Sequence, residues 1–184
     1  MRRLAATAVA AAAVAAGCSK SERAPESADP ASGFCTIRAP GDTGPAMTWP
    51  PLQGKPPAPA PRWRWVNVWA TYCKPCVTEL PRIPKWQDRL ASSGIAVDLT
   101  FVDVDADDGD VAAFRQDYPD TPMSLRLADP DTAMPAWFRT LGLTGSPTIP
   151  LQIFIAPSGK IRCVRAGSVE EPDYAAVEAL LKAG

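Results

Sequence analysis

Two closely spaced cysteines, Cys73 and Cys76, most strongly constrain how this chain of 184 residues folds. They follow the run 65–69, whose apolar and β-branched residues predict a buried strand. After them, apolar side chains recur at helical spacing, at Cys76, Val77, Leu80 and Ile83. The two cysteines therefore lie where a strand turns into a helix.

That position has a chemical consequence for Cys73. The free N–H groups and the positive dipole end of a helix stabilise an anion, so a thiol placed there has a lowered pKa. Cys73 is expected to be the outer, nucleophilic thiol, and Lys74 adds a positive charge beside it. Cys76, one turn inward, is expected to resolve the mixed disulfide that Cys73 forms. The pattern predicts a redox-active dithiol with a Cys73–Cys76 disulfide.

A zinc site is the alternative interpretation of this cysteine pair. Zinc normally takes four Cys or His ligands, whereas the chain has no histidine and no second Cys-x-x-Cys segment. The lack of histidine also excludes Cys-His and Ser-His-Asp catalysis. No metal and no cofactor is therefore predicted at the dithiol.

An acidic stretch follows the next predicted strand, over 95–104, and raises the question of a calcium or magnesium site. It contains five aspartates, at Asp103, Asp105, Asp107, Asp108 and Asp110. Phe114 stands where an EF-hand loop that began at Asp103 has its glutamate. A solvated loop and a helix N-cap are predicted here instead.

The segment 66–81, V-N-V-W-A-T-Y-C-K-P-C-V-T-E-L-P, resembles the active-site segment of TlpA/ResA-like thiol-disulfide oxidoreductases of the thioredoxin superfamily. The resemblance runs from about Trp49 to the C-terminus. It implies an α/β, thioredoxin-like fold, in which helices flank a central mixed sheet that carries an inserted strand-helix unit and an N-terminal extension. Beside the dithiol it places Trp69, Tyr72, Lys74 and Pro75. Tyr72 replaces the usual Trp, and Lys-Pro is not the commonest pair between the cysteines.

The resemblance also implies a cis-proline opposite the dithiol. Pro147, ahead of the predicted strand 151–155, is matched to it, and the bond presents the Ser146 backbone to an extended substrate segment. Pro150 follows closely and is expected before the paired part of the strand, because it has no N–H to donate.

Glu79 matches the glutamate of the family's C-x-x-E-x-P pattern and lies three residues after Cys76, on the same helix face. Thioredoxin has a proton-accepting aspartate six residues before its first cysteine, and Asn67 stands there in this chain. Glu79 is therefore expected to accept the Cys76 proton. The alternative is a first-turn glutamate favoured only by the helix dipole.

The N-terminus has the features of a signal peptide. Two arginines precede an Ala/Val run over 4–16, which is shorter than the roughly 20 apolar residues that span a bilayer. The run ends in Ala-Ala-Gly-Cys18, which resembles the lipobox of bacterial lipoproteins. Residues 1–17 are therefore expected to be removed and Cys18 to be lipidated. Ordinary cleavage, which leaves Cys18 as a spare thiol, is the alternative.

Composition divides the remaining chain into three parts. Residues 18–33 have no apolar period and predict a disordered tether. Residues 34–61 are rich in proline and predict an N-terminal extension, with edge strands at 34–37 and 47–49 and a turn at 53–55. Residues 62–184 predict the thioredoxin-like domain. Its further predicted elements are strands at 124–128 and 161–165, helices near 111–118, 132–141 and 172–182, and a first helix interrupted at Pro81 and Pro84.

Two cysteines, Cys35 and Cys163, remain after the dithiol and Cys18 are set aside. In an oxidising compartment they are expected to form a structural disulfide between the N-terminal extension and the last strand. The alternative is that Cys163 is only a small, buried apolar residue.

Together these features predict an enzyme of the periplasm or cell envelope, lipid-anchored to a bacterial membrane. The resemblance implies a protein-disulfide reductase. Its expected substrates are disulfides, that is oxidised thiols, of envelope proteins such as apocytochrome c, and its electrons are expected to come from a membrane thiol-reductant conduit. A net charge of −1 offers no basic surface for nucleic acid.

Three other functions remain open. A dithiol oxidase that inserts disulfides uses the same chemistry at another potential. A peroxiredoxin-like peroxidase needs Thr or Ser where this chain has Ala70. A non-enzymatic binding module would carry Cys73–Cys76 as a purely structural bridge.

Overall fold

A computed structural model describes residue 31, residues 33–146 and residues 148–183. The predicted signal peptide, the lipidation site Cys18, most of the tether and Pro147 lie outside the described residues. In the part of the chain that is described, no helix is long and apolar enough to cross a membrane.

The centre of the molecule is a mixed sheet of seven strands in the order β1-β7-β6-β3-β4-β5-β2. In chain order these strands are β1 Ile37–Arg38, β2 Leu52–Gln53, β3 Trp63–Trp69, β4 Val97–Asp103, β5 Ser124–Leu127, β6 Leu151–Ile155 and β7 Ile161–Ala166. Strands β3, β4 and β5 run parallel, whereas the β3–β6, β6–β7, β1–β7 and β2–β5 pairs are antiparallel. The predicted fold class is confirmed.

The described residues include five α-helices beside the sheet: α1 Lys74–Glu79, α2 Arg82–Ser92, α3 Asp108–Asp117, α4 Pro130–Thr140 and α5 Tyr174–Lys182. The predicted interruption of the first helix is present, because α1 ends before Pro81 and α2 restarts with Pro84 in its first turn, where proline is tolerated. The C-terminal helix begins later than expected, since a 3₁₀ turn, Glu171–Asp173, precedes α5.

The core forms where α2 packs against the central strands. Ile83, Trp86 and Leu90 recur at helical spacing on α2 and are buried. Trp65 of β3 lies against Trp86, with their ring centroids 6.1 Å apart, and against Phe154 of β6 at 4.9 Å. Six of the seven residues of β3 are buried, which fixes the position of the loop that follows the strand.

The N-terminal extension adds a strand at each end of the sheet. β1 pairs with β7 and β2 pairs with β5, at Ile37↔Val164 and Leu52↔Leu127. The edge strand predicted at 47–49 is wrong, because Ala46 makes only a single bridge, with Lys160. The turn predicted at 53–55 begins one residue late, since Gln53 belongs to β2. Cys35 and Cys163 form a disulfide that ties β1 to β7.

Candidate active site

Cys73 and Cys76 form a disulfide at the corner between β3 and α1. Cys73 is the N-cap of α1, and its Sγ accepts a hydrogen bond from the Cys76 backbone N–H at 3.3 Å. Cys73 is 8% exposed and Cys76 is 0% exposed. Only the first sulfur is therefore near the surface, as expected for an attacking and a resolving thiol.

The surface around Cys73 consists of Tyr72, Lys74 and Pro75, all of which are exposed. Tyr72 is a large side chain with 69% of its area in contact with solvent. Trp69, at the end of β3, is fully buried, and its indole N–H donates to Ser124 Oγ at 3.0 Å. The exposed residues can contact a partner protein, while Trp69 links the end of β3 to the start of β5 across the intervening β4.

Glu79 is fully buried on the helix that carries Cys76. Its Oε1 accepts hydrogen bonds from Asn67 Nδ2 at 2.7 Å and Gln152 Nε2 at 2.8 Å. Its Oε2 accepts one from the Val169 backbone N–H at 2.7 Å. A charged carboxyl is tolerated in the core only with such partners.

Burial raises the pKa of Glu79 to about 7, although the donated hydrogen bonds and the Arg82 guanidinium oppose this shift. A carboxyl with a pKa near 7 exchanges its proton at neutral pH, as a general acid or base requires. Glu79 and Cys76 are three residues apart on α1 and share a buried helix face. The inner cysteine therefore shares its helix face with a carboxyl whose pKa is near neutrality.

The prediction of a solvated acidic loop holds for the exposed residues 106–110 and is wrong for Asp103 and Asp105. Both are essentially fully buried at the carboxyl end of β4. Asp105 accepts from the Thr71 backbone N–H at 2.8 Å and from the Thr71 hydroxyl at 2.7 Å, two residues before Cys73. Arg126 forms an ion pair with Asp103 at 3.3 Å. Asp105 therefore anchors the loop that leads to the dithiol.

The electrostatics of this corner follow from that burial. Burial raises the pKa of Asp103 above its ordinary value, and the neighbouring Asp105 adds to the rise. The pKa of Tyr72 is also raised, first by partial burial and then by the charges of Asp105, Asp103 and Asp131. The N-cap part of the prediction is confirmed, because Asp107 caps α3 through the Gly109 N–H.

The loop before β6 lies at the same edge of the sheet as the dithiol. Leu151 pairs with Val68, so Pro150 is level with the end of β3, and Pro150 is buried. The Ile149–Pro150 peptide bond is cis. The cis bond predicted at Pro147 lies outside the described residues and stays a prediction. Ser146 is exposed.

Sequence reasoning missed Gln152 and Asp105 as residues of this site. Gln152 is fully buried, whereas the sequence pattern predicts only that it belongs to an apolar strand. A lone amide in a five-residue buried strand is the signal that marks it, because a buried polar group requires partners.

Within the described ranges, no three His, Cys, Asp or Glu side chains are placed to hold a metal ion.

The sequence matches no family model and no curated protein. Solved structures do match the fold. A putative thiol:disulfide interchange protein DsbE from Chlorobium tepidum aligns with a TM-score of 0.56 and 23% identity, over 80% of this chain and 99% of that one. The thioredoxin domain of a thiol-disulfide oxidoreductase from Bacteroides vulgatus gives 0.55 and 19%, over 79% and 99%.

A thioredoxin-related protein from Neisseria meningitidis serogroup B is also similar, with a TM-score of 0.52 and 27% identity. The alignment covers 67% of this chain and 85% of that protein. These likenesses, together with the sheet order and the corner position of the cysteines, show that the chain has a thioredoxin-like fold.

Proposed function

We propose that this chain of thioredoxin-like fold is a protein thiol-disulfide oxidoreductase, and that it acts as a reductase. One observation supports the proposal most directly: Cys73 is the outer cysteine of a disulfide whose inner cysteine, Cys76, shares the buried face of α1 with Glu79. A purely structural bridge has no need of a buried carboxyl with a pKa near 7.

The proposed reaction has two exchange steps. In the reduced protein, the Cys73 thiolate attacks one sulfur of a substrate disulfide. The substrate S–S bond breaks, the other substrate sulfur leaves as a thiolate, and a mixed disulfide forms between Cys73 and the sulfur that it attacked. The Cys76 thiolate then attacks Cys73 Sγ, the substrate sulfur bound to Cys73 leaves as a thiolate, and the Cys73–Cys76 disulfide remains. Two electrons pass to the substrate, and the next cycle requires a thiol reductant.

Glu79 accepts the proton of the Cys76 thiol before the second step. Asn67 cannot do so, because a carboxamide is not a base at neutral pH. Lys74 and the backbone N–H of Cys76 stabilise the Cys73 thiolate in the first step, since that N–H already points at Cys73 Sγ. The proposed contact surface for the substrate polypeptide includes Tyr72, Pro75 and Ser146, all of which are exposed, and Pro147 is proposed to act with them.

The proposed location is the bacterial cell envelope. Residues 1–17 act as a signal peptide, and a lipid on Cys18 holds the domain 62–184 to the membrane through the tether 18–33 and the extension 34–61. The Cys35–Cys163 disulfide fits an oxidising compartment. Disulfides of envelope proteins such as apocytochrome c are the proposed substrates, and a membrane thiol-reductant conduit is the proposed electron donor.

Cysteine variants test the reaction. Cys73→Ser is expected to abolish disulfide reduction in a protein substrate, and Cys76→Ser to accumulate the mixed disulfide, which mass spectrometry detects. Catalytic disulfide reduction by Cys73→Ser would refute the proposal. The equilibrium potential of the pair against glutathione then decides the direction: a value near −270 mV supports a reductase, and one near −120 mV an oxidase.

A further inference from the structure

We infer that Gln152 is a positioning residue for proton transfer: held by the indole of Trp65, it directs an amide N–H onto Glu79 Oε1 and leaves Oε2 as the atom that receives the Cys76 proton. The inference extends the proposed function and rests on it for the identity of the proton donor. The arrangement of the amide and the carboxyl stands on the hydrogen bonds alone.

The orientation of Gln152 is fixed by a group that can only donate. Trp65 Nε1–H donates to Gln152 Oε1 at 2.9 Å, and an indole N–H has no acceptor function. The Gln152 oxygen must therefore face Trp65, and its amide nitrogen faces Glu79 Oε1 at 2.8 Å. Turning the amide over would set two donors against each other in a fully buried site.

Asn67 is oriented in the same way. Its Nδ2 lies 2.7 Å from Glu79 Oε1 and 3.1 Å from Gln152 Oε1, so its two N–H groups have two acceptors. Glu79 Oε1 thus accepts two N–H groups from side chains on β3 and β6. A carboxylate oxygen has two lone-pair positions, and both are occupied on this atom.

The second carboxyl oxygen is different. Glu79 Oε2 accepts one hydrogen bond among the described residues, from the Val169 N–H at 2.7 Å. One lone pair of Oε2 therefore stays free. When the Cys76 S–H ionises, its proton binds there and the carboxyl becomes neutral. Oε1 is then the carbonyl oxygen of the acid and keeps both amide donors.

The charged and titratable groups around Glu79 are few. Arg82 donates to the Val169 carbonyl at 2.5 Å and lowers the pKa of Glu79 by its charge. The Cys73 and Cys76 thiols are the titratable groups that appear on reduction. In the oxidised protein they are absent as titrating groups, so the carboxyl can be studied by itself.

The test is therefore an infrared titration of the oxidised full chain, in which Glu79 is assigned by difference from Glu79→Gln. Gln152→Leu removes a donor to the anion, so the midpoint of Glu79 is expected to rise by about one to two pH units. Trp65→Phe frees the amide and is expected to shift the midpoint the same way. Trp86→Phe is the matched control: this buried indole donates to Glu171, and no shift is expected.

The carbonyl band of the protonated form identifies the oxygen. If Oε2 holds the proton, Gln152→Leu leaves the Oε1 carbonyl with one donor fewer, and its stretching frequency rises. An unchanged frequency would place the proton on Oε1 and overturn that assignment. If Gln152→Leu does not fold, Trp65→Phe decides, and an unmoved midpoint in a folded variant overturns the positioning role.

Kinetics separate this inference from the proposed function. The pH profile of the resolving step is expected to move with the Glu79 midpoint in Gln152→Leu. If Gln152→Leu shifts the midpoint of Glu79 but not the pH profile of the resolving step, Gln152 positions the carboxyl and Glu79 takes no part in the reaction. If the midpoint of Glu79 does not shift, Gln152 has no positioning role, whatever the activity of the variant.

Discussion

Replacing Glu79 by glutamine removes the proposed proton acceptor from a site that is otherwise preserved. The wild-type carboxyl has a pKa of about 7, so the fraction able to accept a proton grows tenfold per pH unit below 7 and levels off above it. General-base assistance is typically worth about 10²–10⁴-fold in rate. At pH 8 we expect Glu79→Gln to slow resolution by about 10²-fold or more. The levelling-off of the resolution rate above pH 7 should also be lost in this variant.

The assay follows both exchange steps in one experiment. Reduced protein is mixed with a small excess of an aryl disulfide that releases a coloured thiolate at each step. The first release reports attack by Cys73, and the second reports displacement by Cys76. Glu79→Gln should leave the first release nearly unchanged and slow the second. Cys76→Ser should show the first release alone.

A matched substitution controls for changing a glutamate to an amide. Glu178 lies on α5, paired with Lys182 at 3.1 Å, and Glu178→Gln should leave both releases unchanged. If Glu79→Gln resolves at the wild-type rate with the wild-type pH profile, Glu79 has no part in the step. Slowing of both releases together would instead indicate a disturbed fold.

The same variant has an equilibrium signature. Because the folded pKa of Glu79 exceeds its ordinary value of 4.5, the folded state binds the proton more tightly than the unfolded chain. Ionisation therefore costs stability, and the cost grows from pH 4.5 to pH 7 and is then constant, at about 3 kcal/mol. Denaturant unfolding should show a smaller decline over that window in Glu79→Gln than in the wild type.

Three further changes test the scaffold. Replacing Cys35 and Cys163 together by alanine should lower the free energy of unfolding by about 2–5 kcal/mol in denaturant titrations, and reductant should then have little further effect. Gly44→Ala places a Cβ only 1.8 Å from the Ile161 backbone oxygen, so proteolysis should release the N-terminal extension more readily than in the wild type. Asp105→Ala leaves the Thr71 N–H without its acceptor. Thr71 amide exchange should accelerate, and stability should fall by about 1–3 kcal/mol; unchanged exchange would contradict the anchor.

The regular elements of the domain were predictable because burial imposes a period on the sequence. The strand 151–155 was placed with its observed bounds, and α2 follows from the apolar spacing of Ile83, Trp86 and Leu90. The extension at 34–61 gave no such period. Its two strands are two residues long each and depend on pairing with distant parts of the chain, which local sequence does not encode.

The site was predictable only where its residues are near in sequence. Cys73, Cys76 and Glu79 lie within two turns of one another, so spacing alone brings them together. Asp105 meets Thr71, and Gln152 meets Trp65, only through the register of parallel and antiparallel strands. A carboxylate in an acidic run is usually solvated, and the sequence holds no sign that the Asp105 side chain turns inward to a backbone N–H.

Asn67 shows how the site accommodates a single buried acid. Thioredoxin has an aspartate at this position, whereas here the residue donates to Glu79 at 2.7 Å. An aspartate in place of Asn67 would face the Glu79 carboxylate at that distance, and two carboxyl groups so close cannot both be ionised. The Asn67 amide instead stabilises the ionised form of Glu79, which burial disfavours. An amide at Asn67 is therefore compatible with a buried acid on α1, and Gln152 and the Val169 N–H complete the set of donors that stabilises the ionised form of Glu79.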